Sequence, residues 1–185
     1  MRRGLAGGLL AAGLLLDAST PAAEPMTLDA RGSLQVAFTP GDDAGALVIE
    51  AIARARRQIL VQAYSLTHRA IADALLAAWR RGVDVQVIAD MTQAQVLATS
   101  RVQEIAMRGV PVWLDGEHAA AHNKVMVIDP ELDTATVITG SFNFTHAAQH
   151  RNAENLLVLR GQSRLAQAYA ANWRRHRAHA LKLRQ

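Results

Sequence analysis

The chain contains no cysteine. A disulfide framework, a thiolate metal site, a thiol nucleophile and a cysteine-linked lipid anchor are therefore all excluded. Aromatic residues make up 4% of the sequence, too few for base stacking to be the main grip on a nucleic acid. Lysine is almost missing: Lys124 and Lys182 are the only two among 20 basic residues, the other 18 being arginine. Glycine-rich phosphate loops are absent, with neither a P-loop nor a dinucleotide fingerprint. A nucleophile elbow is missing too, because Ser141 is not framed as Gly-x-Ser-x-Gly.

Long apolar runs are scarce. The run from Gly4 to Leu16 is 13 residues, too short to span a bilayer comfortably. Arg2 and Arg3 precede it and the small residues Ala18 to Ala23 follow, the layout of a secretory signal peptide. We expect residues 1–23 to be removed, leaving one domain over 24–185 that is periplasmic or secreted and not inserted in a membrane. A domain of this size buries enough apolar surface to fold without staples.

Against these absences stands a net charge of +4 and a pI near 10.3. The balance favours an anionic partner, nucleic acid or acidic lipid, without choosing between them. Cations gather at Arg54/Arg56/Arg57, at Arg80/Arg81 and from Arg174 to Arg184.

Hydrophobic periodicity gives the architecture. Strand-like runs cover Leu34–Phe38, Gln58–Tyr64, Val83–Ala89 and Val110–Leu114. Between them lie helical patterns: one capped by Asp42 or Asp43, one opened by Thr67 and His68 and stopped by Gly82, and one from Thr92 to Gly109. This β-α-β-α-β-α-β order predicts parallel strands with crossover helices. A hairpin of Val125–Ile128 and Ala135–Thr139 follows, with Pro130 to Asp133 as its turn. Then come a short helix near Thr145–Gln149, a strand from Glu154 to Leu159 and a last helix from Ser163 to about Ala180. The expected fold is a single α/β domain with a mixed, mostly parallel sheet and helices on both faces.

The chemistry-bearing residues concentrate between His122 and Glu154. On a strand, alternate side chains share a face. His122 and Lys124 therefore point one way with Met126 and Ile128 behind them, while Asn123, Val125, Val127 and Asp129 take the other face. A chain that writes arginine for surface cations places a lysine inside its central strand, which suggests a need for a compact ammonium. His118 and His122 are four apart, with Asp115 and Glu117 nearby, a spacing used by helical zinc pairs. Gly116 breaks such a helix and His122 begins a strand, so neither a metal site nor a cofactor is expected.

A neutral imidazole is a competent nucleophile when a carboxylate orients its other nitrogen. Attack on a phosphodiester builds negative charge on the non-bridging oxygens, and Lys124, Asn143 and Ser141 are donors suited to hold it. Glu154 is the best candidate to orient the imidazole. The same residues also read as ordinary polar groups at strand ends, and spacing alone leaves both readings open.

The pattern His122-x-Lys124-x4-Asp129 followed by Gly140-Ser141-Phe142-Asn143 resembles the His-Lys-Asp motif of the phospholipase D superfamily. The closer resemblance is to its short bacterial endonucleases, which carry one motif per chain. Ala63-Tyr64-Ser65-Leu66-Thr67, Arg81-Gly82-Val83-Asp84-Val85 and Asn152-Ala153-Glu154-Asn155 extend the likeness from about Gln35 to Trp173. It implies His122 as the nucleophile that forms a phosphohistidine, Lys124 and Asn143 as phosphate ligands supported by Ser141, Glu154 as holder of the histidine, and Asp129 as a motif residue of mainly structural weight. The extra Pro130-Glu131-Leu132-Asp133 reads as a longer hairpin tip.

The family reaction uses two such histidines, and no second His-x-Lys occurs here. The resemblance therefore implies a homodimer with the active site on its two-fold axis. It also implies activity without a metal. Three functions remain in competition: an endonuclease acting on DNA, with RNA as a further candidate substrate, a lipid phosphodiesterase acting on phosphatidyl lipids or cardiolipin, and a non-catalytic nucleic-acid-binding dimer.

Overall fold

The computed structural model describes residues 25–184. The expected signal peptide lies outside the described residues. Eight strands form one sheet in the order β1-β7-β6-β5-β2-β3-β4-β8. They are β1 (Ser33–Thr39), β2 (Gln58–Ala63), β3 (Asp84–Asp90), β4 (Val112–Asp115), β5 (Lys124–Ile128), β6 (Thr136–Gly140), β7 (Glu154–Arg160) and β8 (Leu181–Lys182). The helices are α1 (Ala44–Arg54), α2 (Arg69–Arg80), α3 (Met91–Val96), α4 (Val102–Met107), α5 (His146–His150) and α6 (Ser163–His179).

The mixed α/β sheet matches the expectation, and five of its eight strands run in one direction. Only β2–β3 and β3–β4 are parallel neighbours, however. β1 does not sit beside β2. It crosses to the far edge and pairs antiparallel with β7, from Ser33↔Arg160 to Thr39↔Glu154. The periodicity of β1 and α1 announces a crossover but not its span, and the hairpin β5–β6 and strand β7 fill the gap.

Two apolar layers cover the sheet. On one face Ile59, Val61, Val85, Val87, Met126 and Ile128 pack under α1, α2 and α4. On the other, Leu60, Ile88, Val125, Val127 and Val137 meet Ala166, Ala170 and Trp173 of α6. β5 is buried along its whole length, as a strand apolar on both faces must be. Trp173 adds direction to that packing, because its indole Nε1–H donates to the Val61 carbonyl at 2.8 Å.

Two elements depart from the sequence expectation. The helix expected from Thr92 to Gly109 is broken into α3 and α4. Asp90, not Thr92, caps α3, its Oδ1 accepting from the Gln93 N–H at 2.8 Å. The break falls at Leu97–Arg101, where Thr99 and Ser100 are weak helix formers. There the Arg101 N–H leaves any helical ladder to donate to the Leu66 carbonyl at 2.9 Å. The second departure is β8, a two-residue strand beyond α6 that pairs with Trp113 and Leu114 of β4.

Strand direction fixes where function can lie. The carboxyl ends of β1, β6, β2, β3 and β4 and the amino ends of β7, β5 and β8 all fall at one end of the sheet. In α/β sheets this is the end where ligand crevices form.

Candidate active site

Lys124 opens β5 and pairs with Ala63, the last residue of β2. The Tyr64 N–H then donates to the Asn123 carbonyl at 2.7 Å, so the two chains stay joined past the ladder. This places His122 just outside the sheet, exposed, with its ring 4.3 Å from the Tyr64 ring. The approach of the chain to His122 is set by a buried carboxylate. Asp90, besides capping α3, accepts the Ala121 N–H on Oδ2 at 2.9 Å.

Lys124 is 7% exposed. Its Nζ donates to the His122 carbonyl at 2.9 Å and lies 2.9 Å from His122 Nδ1 and 3.2 Å from Nε2. The Tyr64 ring sits beneath the ammonium, 4.9 Å from Nζ to centroid, and supplies a cation–π contact. Burial pushes the Lys124 ammonium below its ordinary value, and the Glu154 carboxylate partly opposes that shift. Tyr64 is the residue the sequence reading left without a role. Its signal was available: it is one of two tyrosines, at the end of the strand that neighbours β5.

Asn143 and Ser141 arrive from β6. Phe142 and Phe144 are fully buried in the core, which turns the residues between and before them toward the sheet end. Gly140 makes the turn possible. Its φ is +146°, and a Cβ there would lie 2.3 Å from the Asn155 carbonyl oxygen. That same carbonyl accepts the Ser141 and Phe142 N–H groups, each at 3.1 Å. Ser141 Oγ in turn accepts the Asn155 N–H at 3.0 Å, which leaves its own proton to donate. Asn143 Oδ1 is buried and has no hydrogen-bond partner among the described residues. A buried amide oxygen left this way is costly and can be completed only by a donor, so any contact from Asn143 to a phosphate oxygen comes from its Nδ2.

Glu154, the first residue of β7, is half-buried and accepts from Asn152 Nδ2 at 3.0 Å. The structure brings it within electrostatic reach of Lys124 but forms no hydrogen bond between Glu154 and His122. Two strand spacings separate β7 from β5, about 10 Å of backbone that the side chains must bridge.

Asp129 lies apart from the other residues of the motif. It stands at the other end of β5, about 17 Å of strand from Lys124. Its carboxylate accepts the backbone N–H groups of Arg56, Arg57 and Gln58 at 2.7–2.9 Å, fastening the turn between α1 and β2. Its φ of +51° is one an aspartate tolerates. Asp129 therefore belongs to the scaffold and not to the catalytic group. The hairpin tip at Pro130–Asp133 lies at that remote end too, clear of the site.

His118 does not join His122. It faces His176 and His179 of α6 instead, beside Asp115 at the end of β4.

Of the residues read as catalytic in the sequence, this sheet end thus gathers the exposed His122 imidazole, the desolvated Lys124 ammonium, the Ser141 hydroxyl, the Asn143 amide and the Glu154 carboxylate. The family model described as "Cardiolipin synthase, PLD-like domain" matches residues 48–177. The chain belongs to the phospholipase D superfamily. Phospholipase D of Rickettsia typhi is 36% identical over 143 residues, which are 77% of this chain and 67% of that protein. The mitochondrial cardiolipin hydrolase of Chlamydomonas reinhardtii is 31% identical over 111 residues, 60% of this chain and 48% of that one. Among solved structures, the phospholipase D family member Nuc from Salmonella typhimurium aligns with a TM-score of 0.78 at 36% identity, over 83% of this chain and 99% of its own. NucT from Helicobacter pylori gives a TM-score of 0.70 at 23% identity, over 82% of this chain and 99% of its own, a likeness of fold. The chain is a phosphodiesterase of the phospholipase D superfamily, and its His-x-Lys pair and Gly-Ser-x-Asn turn all lie inside the matched segment.

Proposed function

We propose that the protein is an exported endonuclease that cleaves DNA, and RNA as a second substrate, as a homodimer and without a metal. The observation that carries this reading is the exposed His122 beside a buried Lys124: one nucleophile with a cationic phosphate ligand against it, and no second His-x-Lys in the chain.

The steps follow from the donor set. A phosphodiester binds with its non-bridging oxygens on Lys124 Nζ and the Asn143 Nδ2–H, and the Ser141 hydroxyl supports them. Binding draws the ammonium away from the His122 ring. Freed of that contact, the ring turns one N–H toward Glu154 and presents its other nitrogen to phosphorus. Attack forms a phosphohistidine, and the partner's His122 protonates the leaving oxygen. Water, deprotonated by that second histidine, then hydrolyses the P–N bond and restores both rings. The low local dielectric strengthens the Lys124–phosphate attraction as charge develops.

Substrate choice rests on the surface around the site. Arg69, Arg151, Arg174, Arg175 and Arg177 are exposed on elements that meet the catalytic end of the sheet. Such an array suits a long polyanion and makes binding fall with salt. Among the described residues no helix is long and apolar enough to cross a membrane. A second reading, a lipid phosphodiesterase, is favoured by the names of the relatives in Rickettsia typhi and Chlamydomonas reinhardtii.

The test is plasmid nicking by purified protein in excess EDTA, run beside cardiolipin vesicles. We expect nicking that persists in EDTA and is lost in His122→Ala. Turnover of vesicles with no nicking would replace the nuclease with the lipid enzyme. An absolute need for added magnesium, which the cluster of His118, His176 and His179 would not take up, would overturn the proposed site.

A further inference from the structure

Four metal-ligating side chains meet at the sheet end, three strands away from Lys124. Asp115 ends β4, His118 lies on the loop after it, and His176 and His179 occupy the last turn of α6. One atom from each can be chosen so that all lie within 4.8 Å of one another. Residues three apart on a helix share a face, so His176 and His179 project together. The cluster takes three of the seven histidines in the chain.

We propose that Asp115, His118, His176 and His179 bind one divalent transition-metal ion, with zinc as the reference occupant. The ring geometry carries the argument. The centroids of His118–His176, His118–His179 and His176–His179 are 5.3, 5.5 and 5.4 Å apart, a nearly equilateral triangle. An imidazole whose nitrogen is about 2.0 Å from zinc has its centroid about 3.2 Å from it, so tetrahedral rings sit roughly 5.2 Å apart.

The carboxylate supplies the fourth corner. The Asp115 side chain is completely buried, and its Oδ2 lies 2.8 Å from His176 Nδ1 and 3.3 Å from His179 Nε2. The edge of a zinc tetrahedron is about 3.3 Å. The other carboxylate oxygen, Oδ1, accepts the Glu117 N–H at 3.2 Å, the kind of outer contact that aims a metal ligand. Three imidazoles and one carboxylate suit zinc, copper, nickel or cobalt, and not magnesium or calcium, which demand oxygen ligands.

Four protein donors fill a tetrahedron and leave no position open for substrate, so the ion is structural. Its place explains what it secures. The buried residues of α6 are Ala166, Ala170 and Trp173, and none lies in its last turn. That turn is held to the sheet through Asp115, and β8 follows directly to close on β4. In a chain without cysteine, an ion at this point replaces a covalent staple for the tail.

The site is separate from the catalytic group, so its test is independent of the proposed nuclease activity. The full chain, without a histidine tag, is stripped with EDTA, desalted and titrated with zinc chloride by calorimetry. The expected result is one zinc per chain and a higher unfolding temperature in the loaded protein. His118→Ala, a truncation of an exposed side chain on the loop after β4, should weaken zinc binding by at least about 100-fold. His122→Ala should bind zinc as the native chain does. With cobalt in place of zinc, the strong visible bands of a four-coordinate ion should appear in the native chain and vanish in His118→Ala. No zinc uptake would overturn the proposal. So would zinc binding unchanged in both His118→Ala and a folded His176→Ala/His179→Ala variant.

Discussion

Lys124 holds a charge where the fold would prefer none. Its ammonium is kept in a buried position by the His122 carbonyl and the Tyr64 face, and its pKa is lowered as a result. The unfolded chain therefore keeps this proton more firmly than the folded one, and the residue's contribution to stability rises as pH climbs through the folded value toward 10.5. Lys124→Met keeps the length and removes the charge. We expect it to abolish phosphodiester cleavage while raising stability at pH 7 by roughly 1 kcal/mol. That advantage should narrow as the pH is raised toward 10. Urea unfolding at several pH values, alongside an assay on a chromogenic phosphodiester, measures both. Asp129 predicts the reverse. Asp129→Asn tolerates the same positive φ but satisfies fewer of the three backbone N–H groups of Arg56, Arg57 and Gln58. The expected loss is about 2–3 kcal/mol of stability with kcat retained. The contrast shows what the sequence could carry at this scale. The motif spells out both residues and the strand read between them sets them at opposite ends, but only the fold shows that Asp129 fastens the backbone of Arg56, Arg57 and Gln58.

Among the elements, β5 and the Gly140–Asn143 turn were legible because apolar content on both strand faces and a Gly-Ser-x-Asn run are local signals. The placement of β1 was not, since a crossover of one strand or of four looks alike along the chain. The break between α3 and α4 was hidden for a similar reason: the Arg101–Leu66 hydrogen bond joins segments far apart in sequence. β8 is two residues long, below what periodicity detects. Asp90 carries an element-scale prediction. It links the start of α3 to the segment that leads into His122. Asp90→Asn keeps one acceptor oxygen for two N–H groups, so the Ala121 tie or the α3 cap is lost. We expect cleavage to fall by about tenfold to a hundredfold through kcat, since a small misplacement of a nucleophile costs that much. The KM should hardly change. A lowered unfolding temperature with kcat intact would assign Asp90 to α3 alone.

At the scale of the molecule, charge and symmetry decide what the site can do. Arg54, Arg56 and Arg57 lie where α1 gives way to β2, and Arg80 and Arg81 where α2 gives way to β3, both at the end remote from His122. Only the α6 cluster, of the three read in the sequence, flanks the catalytic end. Composition gave the sign of the surface, and the topology divides it. The proposed mechanism gives each chain one nucleophilic imidazole, His122, which is exposed at the rim. If two copies must each lend a histidine, a mixed dimer of native and His122→Ala chains is dead. Native protein mixed with an equal amount of His122→Ala, and allowed to exchange subunits, should then lose about half of its activity per native chain. A ninefold excess of the variant should reduce it to about one-tenth, as random pairing of subunits requires. Native protein alone should also lose specific activity on dilution as the dimer dissociates. Activity per native chain that stays constant through both experiments would mean that a single chain completes the reaction, and the leaving oxygen would then need a proton donor other than a second His122.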